Sequence, residues 1–387
     1  MKRIILTPIL LIISTVIVLT NIHAQQKSPV VIGSIIPLSG AVALEGLDMK
    51  RGMTLAVEEV NATGGVLGRP LKIIWEDTKL NSAIGLSYAK KLAEIDKVPL
   101  ILGEYSPEVS LYTGKYTDRL KIIQMTIGLA TLKFSKIGPY FFNVMGLAED
   151  IATDLGEFAL KDSAAKKVGF LTVENPFGIE MEKHIKKIVK KTSVSLVPTI
   201  RYKISKKDYH AEIQELFQPK PQIVIFTPIG EEARIILQQA SELGFKEKIG
   251  WYSPNVDMWA NYAIPETAEG IKGLAIGVRG KLYGQYASKY EKKFGVKPST
   301  VLSSYAYDAT WMAALAINQA KSTNPDDLKN ALFVVSQTYK GVTGDKTFNE
   351  NGMQAPKAYN KIMFTKGKLV SYSPCPIPPF CLKQIKY

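Results

Sequence analysis

Six short stretches hold most of the residues whose types and spacing suit chemistry: PLSGAVALEG (37–46), GEYSPE (103–108), TIGLAT (126–131), VENPFG (173–178), TPIGEE (227–232) and SPNVD (253–257). Each follows an apolar run, is rich in Gly, Pro, Ser, Thr or Asn, and several open a helical pattern. A helix start offers unpaired N–H groups and a partial positive charge, each favourable contact being worth about 0.3–1 kcal/mol. Such junctions hold carboxylates and other polar groups without needing Lys or Arg. Glu45 is the single acid of the first junction, placed either to meet a cationic or hydrogen-bonding end of a ligand or to sit solvated at a rim. Ile229 is the apolar residue of the fifth. Bond-making chemistry lacks its parts: beyond the leader the only histidines are His184 and His210, both on charged helical patterns away from the junctions. No Ser-His-Asp order, metal-ligand spacing or phosphate-binding loop is apparent, so neither enzyme activity, nor a metal, nor a cofactor is expected.

The junctions need a frame. VVIGSII, LKIIWED, VPLILG and IIQMTIG alternate with helical patterns such as DMKRGMTLAVEEVN, in which Met49, Met53, Ala56, Val57 and Val60 share one face. This alternation predicts a parallel sheet covered by helices on both faces. A second series runs through KKVGFLTVE, VSLVPTIRY, QIVIFTP and KIGWYSP with helices between them. The fold class is therefore α/β, with two doubly wound parallel-sheet lobes facing each other. In open α/β sheets, ligands sit beyond the carboxyl ends of the strands, where these junctions fall.

Length and composition agree. The 387 residues exceed one ordinary core, and 46% hydrophobic with 22% charged content is that of a globular protein. Lys2 and Arg3 precede an apolar run from Ile4 to Leu19 and a small-residue position at Ala24, the order of a cleaved signal peptide over 1–24, with a retained membrane anchor as the alternative. Cys375 and Cys381, in the Pro-rich tail over 374–387, are expected to pair as a disulfide in an exported protein. The net charge is +14, but the lysines of MEKHIKKIVKK lie opposite a stripe of Met181, Ile185, Ile188 and Val189. They read as a solvated face, and nucleic acid is not an expected partner.

With these patterns in place, the chain resembles the leucine/isoleucine/valine-binding-protein family of type I periplasmic binding proteins, which serve ABC importers. The resemblance runs from about Val30 to about Val370. It is carried by the PLSG turn, by the spacing of Gly46, Asp48 and Gly52, by NATGGVLGR, ENPFG and SYAYDA, and by GVTGDKTFNENG. It implies two lobes joined by three crossovers, with lobe 1 over 28–146 and 277–340 and lobe 2 over 147–276 and 341–373. It also implies closure on an amino acid or small carboxylate, delivery to permease subunits, a periplasmic location and a monomer. Amide or urea-type ligands, or service as a soluble sensor, are the alternatives. The loops matching Tyr105–Ser106 and Gly128, Leu129, Ala130 and Thr131 would hold a ligand carboxylate, although Ser106 also suits a plain helix cap. Phe177 and Tyr307 fall where lining aromatics occur. Asn255 stands where amino-acid-binding members carry an acid for the ligand ammonium, and Asp257 could substitute if the loop shifts.

Overall fold

Short apolar runs punctuated by Gly, Pro and Asn become buried strands in the computed structural model, which describes residues 27–373 apart from 129, 278 and 356–358. The first lobe runs β1 (Val30–Ile36), α1 (Ala43–Ala62), β2 (Leu71–Asp77), α2 (Ser82–Lys90), β3 (Leu100–Leu102), α3 (Pro107–Arg119), β4 (Ile123–Thr126) and β5 (Phe141–Asn143). These strands make one all-parallel sheet in the order β2-β1-β3-β4-β5. Strand order reverses at β1, which puts the β1 and β3 exits side by side at the sheet's switch point.

The second lobe runs α4 (Ala148–Ser163), β6 (Lys167–Val173), α5 (Pro176–Val189), β7 (Ser195–Tyr202), α6 (His210–Phe217), β8 (Ile223–Thr227), α7 (Glu232–Glu242), β9 (Gly250–Ser253), α8 (Val256–Trp259), α9 (Pro265–Ala268) and β10 (Lys272–Ala275). The chain then returns to the first lobe as α10 (Tyr283–Phe294), α11 (Leu302–Ala320) and α12 (Pro325–Thr338), followed by the small hairpin β11 (Lys340–Gly341) and β12 (Gly344–Asp345). It ends as β13 (Asn360–Thr365) and β14 (Lys368–Ser371), which add to the second sheet in the order β14-β13-β10-β9-β8-β6-β7. These last two strands pair antiparallel, so the second sheet is mixed where the βα alternation alone predicts a parallel one.

The third crossing also differs from the expected boundary at 340. Residues beyond it stay on the first lobe: Phe348 packs on Phe142 of β5, Met353 bridges to Asn143, and the Lys346 ammonium donates to the Val144 carbonyl. Residues up to Ala355, whose N–H donates to the Thr347 carbonyl, stay with this segment, whereas the Tyr359 N–H donates to Asp154 of α4 on the second lobe. At the second crossing, Asp257 of α8 accepts the N–H groups of Ile276 and Gly277 at 3.1 and 2.7 Å. Burial raises its carboxyl to about 6 against the pull of those two donors.

The spacing Gly46, Asp48, Gly52 acquires a physical meaning here. A Cβ on Gly46 would lie 1.7 Å from the Pro37 carbonyl, and one on Gly52 would lie 2.0 Å from the Ser303 carbonyl of α11. Asp48 between them accepts the Thr300 N–H and hydroxyl at 2.7 and 2.8 Å, fixing the approach to α11. The three residues let α1 lie flush against both the first junction and α11. Gly52→Ala should therefore cost about 1–3 kcal/mol through overpacking, read as a lowered urea midpoint with an unchanged m-value. An unchanged midpoint would show that α11 yields freely.

Candidate functional site

The first junction is held by the end of its neighbour strand. Asp77, last residue of β2, accepts the Leu38 N–H at 2.8 Å, the Ser39 N–H at 3.3 Å and the Ser39 hydroxyl at 2.6 Å. Burial works against ionisation, but Ser39 and the N–H groups of Lys79, Leu38 and Ser39 outweigh it and hold this carboxyl below its usual range. The PLSG turn is thus a tied loop.

The GEYSPE and TIGLAT junctions are fastened to each other. The Glu104 carbonyl accepts the Thr126 hydroxyl at 2.6 Å and the Ile127 N–H at 3.1 Å. A Cβ on Gly128 would lie 1.9 Å from the Tyr105 carbonyl, so only glycine permits this contact. The Glu104 carboxyl is fully buried, taking the Thr78 hydroxyl at 2.6 Å on one oxygen and the Ser106 N–H on the other. Burial raises it to about 7 despite those donors.

Helices α3 and α5 begin in the same way on opposite lobes. Ser106 caps α3 by accepting from the Val109 N–H, Asn175 caps α5 by accepting from the Gly178 N–H at 2.8 Å, and Pro107 and Pro176 fill the first helical positions. Proline there gives up an N–H that would be unpaired anyway. The next N–H groups, those of Glu108 and Phe177, are left facing outward from the helix start. Between the two starts lies a cavity of about 310 Å³. Leu80, Tyr105, Ser106, Pro107 and Glu108 line it from the first lobe, and Val173, Glu174, Asn175, Phe177, Lys203, Ile204 and Ile229 from the second. Its walls are mainly apolar, with polar groups gathered at the helix starts and Lys203 at the exposed edge.

Four residues singled out by sequence therefore meet on one cavity: Tyr105, Ser106, Phe177 and Ile229. Glu45 lies beside the second lobe: its Oε2 accepts the Tyr262 hydroxyl at 2.8 Å across the cleft, and its Oε1 is 3.3 Å from where a side chain on Gly230 would begin. It is 1% exposed, which replaces the solvated-rim alternative with burial between lobes. Burial raises its carboxyl, opposed by Tyr262 and its own backbone and reinforced by Glu232 and Asp48.

The other expected residues sit elsewhere. Asn255 is occupied internally, its amide donating to the Pro228 carbonyl at 3.1 Å and its carbonyl accepting from Ser253 at 3.1 Å. Asp257 is committed to the second crossing, which removes it as a stand-in for a ligand-facing acid. Ala130 packs with Phe134, Phe141 and Leu147, and Thr131 caps a single 3-10 turn over Leu132–Lys136. Tyr307 lies on the far side of the first lobe, its hydroxyl donating to Glu59 at 2.6 Å and its ring packed on Tyr286. Leu129, the 1–24 leader and the two cysteines lie outside the described residues.

Tyr262, Glu104 and Glu232 were not singled out by the sequence reading. Glu104 and Glu232 stand inside the quoted junctions, but their burial depends on contacts from distant segments: Thr78 for the first, and for the second the Ser205 N–H at 2.9 Å.

A family model described as "Periplasmic binding protein" matches residues 29–367. The chain belongs to this family. Among its relatives, a Leu/Ile/Val-binding protein homolog 7 from Brucella abortus is 25% identical over 377 residues, covering 91% of this chain and 93% of the relative. The substrate binding protein LivJ of a branched-chain amino acid transporter from Streptococcus pneumoniae, solved with isoleucine, superposes with TM-score 0.78 at 19% identity, covering 88% of this chain and 98% of that one. A solute binding protein of an ABC transporter from R. palustris, solved with 4-hydroxybenzoate, gives TM-score 0.80 at 18% identity, covering 89% and 96%. These likenesses establish the two-lobed type I architecture for this binding protein. Among the described residues, no helix is long and apolar enough to cross a membrane.

The buried Glu104 makes a pH prediction. A carboxyl raised from 4.5 to about 7 on folding binds its proton more tightly in the folded state. Its contribution to stability is complete below about 4.5 and is lost as pH rises through 7, roughly 3 kcal/mol in all. Thermal unfolding should show that decline between pH 5 and 8, reduced in Glu104→Gln. A variant that keeps the full decline would place its source in other groups.

Proposed function

We propose that this chain is the exported substrate-binding protein of an ABC importer, taking a small ligand that carries a carboxylate on an apolar body. Residues 1–24 act as its signal peptide, the mature monomer works in the periplasm without cofactor or catalysis, and the closed form hands its ligand to permease subunits. The observation that carries this reading is the cavity into which the first turns of α3 and α5 open from opposite lobes.

Two helix starts and Lys203 offer positive potential at one end. The rings of Tyr105 and Phe177 with Ile229, Ile204 and Leu80 offer an apolar body. A guest touching both lobes stabilises the shut arrangement, because only there does it gain both sets of contacts. An amino acid with an apolar side chain and an aromatic acid both fit this description. Glu45 separates them where a guest extends past the cavity lining toward Tyr262, since this buried acid lies between the lobes there, whereas Asn255 is turned inward. A cavity of about 310 Å³ lies at the lower end of the range for small-molecule sites.

The test is a thermal-shift panel of leucine, isoleucine, valine, benzoate, 4-hydroxybenzoate and the matching amides. A carboxylate at about 100 times its dissociation constant should add about 2.7 kcal/mol of stability. A panel in which amides stabilise and carboxylates do not would overturn the reading. Phe177→Ala should weaken the best hit by about 1.5–3 kcal/mol through lost apolar contact. Glu45→Gln should weaken amino acids and leave aromatic acids nearly unchanged.

The Glu45–Tyr262 contact also ties closure to affinity. A binding-competent state populated to a fraction f raises the apparent dissociation constant by 1/f. Removing one interlobe hydrogen bond costs about 0.5–1.5 kcal/mol. Tyr262→Phe should therefore weaken every ligand about three- to tenfold, by calorimetry, without changing their order. A changed order would mean that Tyr262 touches the guest.

A further inference from the structure

Outside the mouth of the ligand cavity lies a broader groove, and the two share Glu108, Glu174 and Asn175. Its first-lobe wall carries Lys115, Lys133 and Lys136. At Ile179 it meets a second groove between the outer face of α5 and β7, the outermost strand of the second sheet on that side. Lys183, Lys187, Lys190 and Lys191 line that groove. Its acid, Glu182, is buried and already held by Lys186 and by Arg201 at 2.7 Å. The one arginine is thus committed, Lys183 pairs with Glu180 at 3.2 Å, and against the exposed Glu108 and Glu174 the remaining positive charge of the face rests on lysines. Two apolar side chains stand among them, Tyr112 at 56% exposure and Ile179 at 40%.

We propose that this face docks the protein on an anionic lipid bilayer, presenting the mouth of the ligand cavity to the membrane. Three features favour a lipid surface over a shaped acidic protein. Lysines on flexible stems suit a diffuse layer of phosphates, whereas recognition of fixed carboxylates favours the rigid fork of arginine. Clusters of four to eight basic residues bind anionic membranes at about 1 kcal/mol per side chain near the surface. An exposed Tyr beside an exposed Ile is what the headgroup boundary accommodates, with the ring's apolar body buried and its hydroxyl wet. The inference rests on the export reading above but not on which ligand the cavity takes.

The experiment is co-sedimentation of the full mature chain, without small-molecule ligand, with vesicles of phosphatidylcholine alone or mixed with phosphatidylglycerol, at low and high salt. Binding should require phosphatidylglycerol and fall with salt. The triple variant Lys183→Glu, Lys187→Glu, Lys191→Glu should bind on the order of a hundredfold more weakly. A control reversing the exposed Lys72, Lys220 and Lys297 to Glu changes net charge equally and should bind nearly as the parent does. Equal losses in the two variants would overturn the proposal, as would parent binding to phosphatidylcholine alone. So would a parent that ignores both vesicles while binding polyglutamate in a way that needs Lys183, Lys187 and Lys191; the occupant would then be an acidic protein face. Failure here leaves the thermal-shift panel untouched, so the two readings fall separately.

Discussion

Two sheets whose parallel strands point their carboxyl ends at each other impose one constraint: the polar groups there must find partners across the gap or in a guest. Water is largely excluded when the lobes meet, and an unpaired polar group then costs several kcal/mol. Glu45 answers by taking the Tyr262 hydroxyl from the opposite lobe. Glu104 answers within its own lobe through Thr78 and the Ser106 N–H. The starts of α3 and α5 have spent one N–H each on Ser106 and Asn175, and residues of both starts line the cavity. Each interlobe contact is modest, as the proposed opening and shutting of the lobes requires.

The hinge obeys the opposite rule. Crossing segments cannot rely on sheet pairing, so their backbone groups are tied by side chains. Asp257 holds Ile276 and Gly277 at the second crossing. Lys346 reaches the Val144 carbonyl beside the first and stacks over Tyr305. Asp154 holds both the Tyr359 N–H and the Lys361 ammonium after the third. Side-chain ties of this kind leave the strands little freedom except rotation about the crossings, the motion that the proposed closure of the lobes needs.

The sequence made the fold legible because apolar runs and punctuation are local. VVIGSII, IIQMTIG and QIVIFTP became β1, β4 and β8 with their neighbouring helices where the periodicity put them. The β13–β14 hairpin was not legible in that way, since antiparallel return strands break the βα alternation, and the first-lobe contacts made beyond residue 340 come from loops that pack on β5. At the site, Tyr105, Ser106, Phe177 and Ile229 were legible as strand-exit residues. Tyr307, placed at the lining by the resemblance alone, is held away from the cavity because Glu59 takes its hydroxyl and Tyr286 packs on its ring. Tyr262 gave no local sign at all, as its partner lies 217 residues away in sequence.

The charges divide by depth, and the division has consequences for traffic through the site. Glu45, Glu104 and Glu232 are buried near the cleft, and burial raises each of their carboxyls. Each is held by hydrogen-bond donors, Glu45 by the Tyr262 hydroxyl, Glu104 by the Thr78 hydroxyl and the Ser106 N–H, and Glu232 by the Ser205 N–H. Most lysines stay outside, where hydration keeps them charged at little cost, while the buried Lys246 and Lys346 each donate to a backbone carbonyl. On the proposed reading, a carboxylate guest meets attraction from the lysines at the vestibule and a helix start at the mouth. Reversing the arrangement, with amines inside and acids outside, would bury a charge that must be paired and repel the guest at the door.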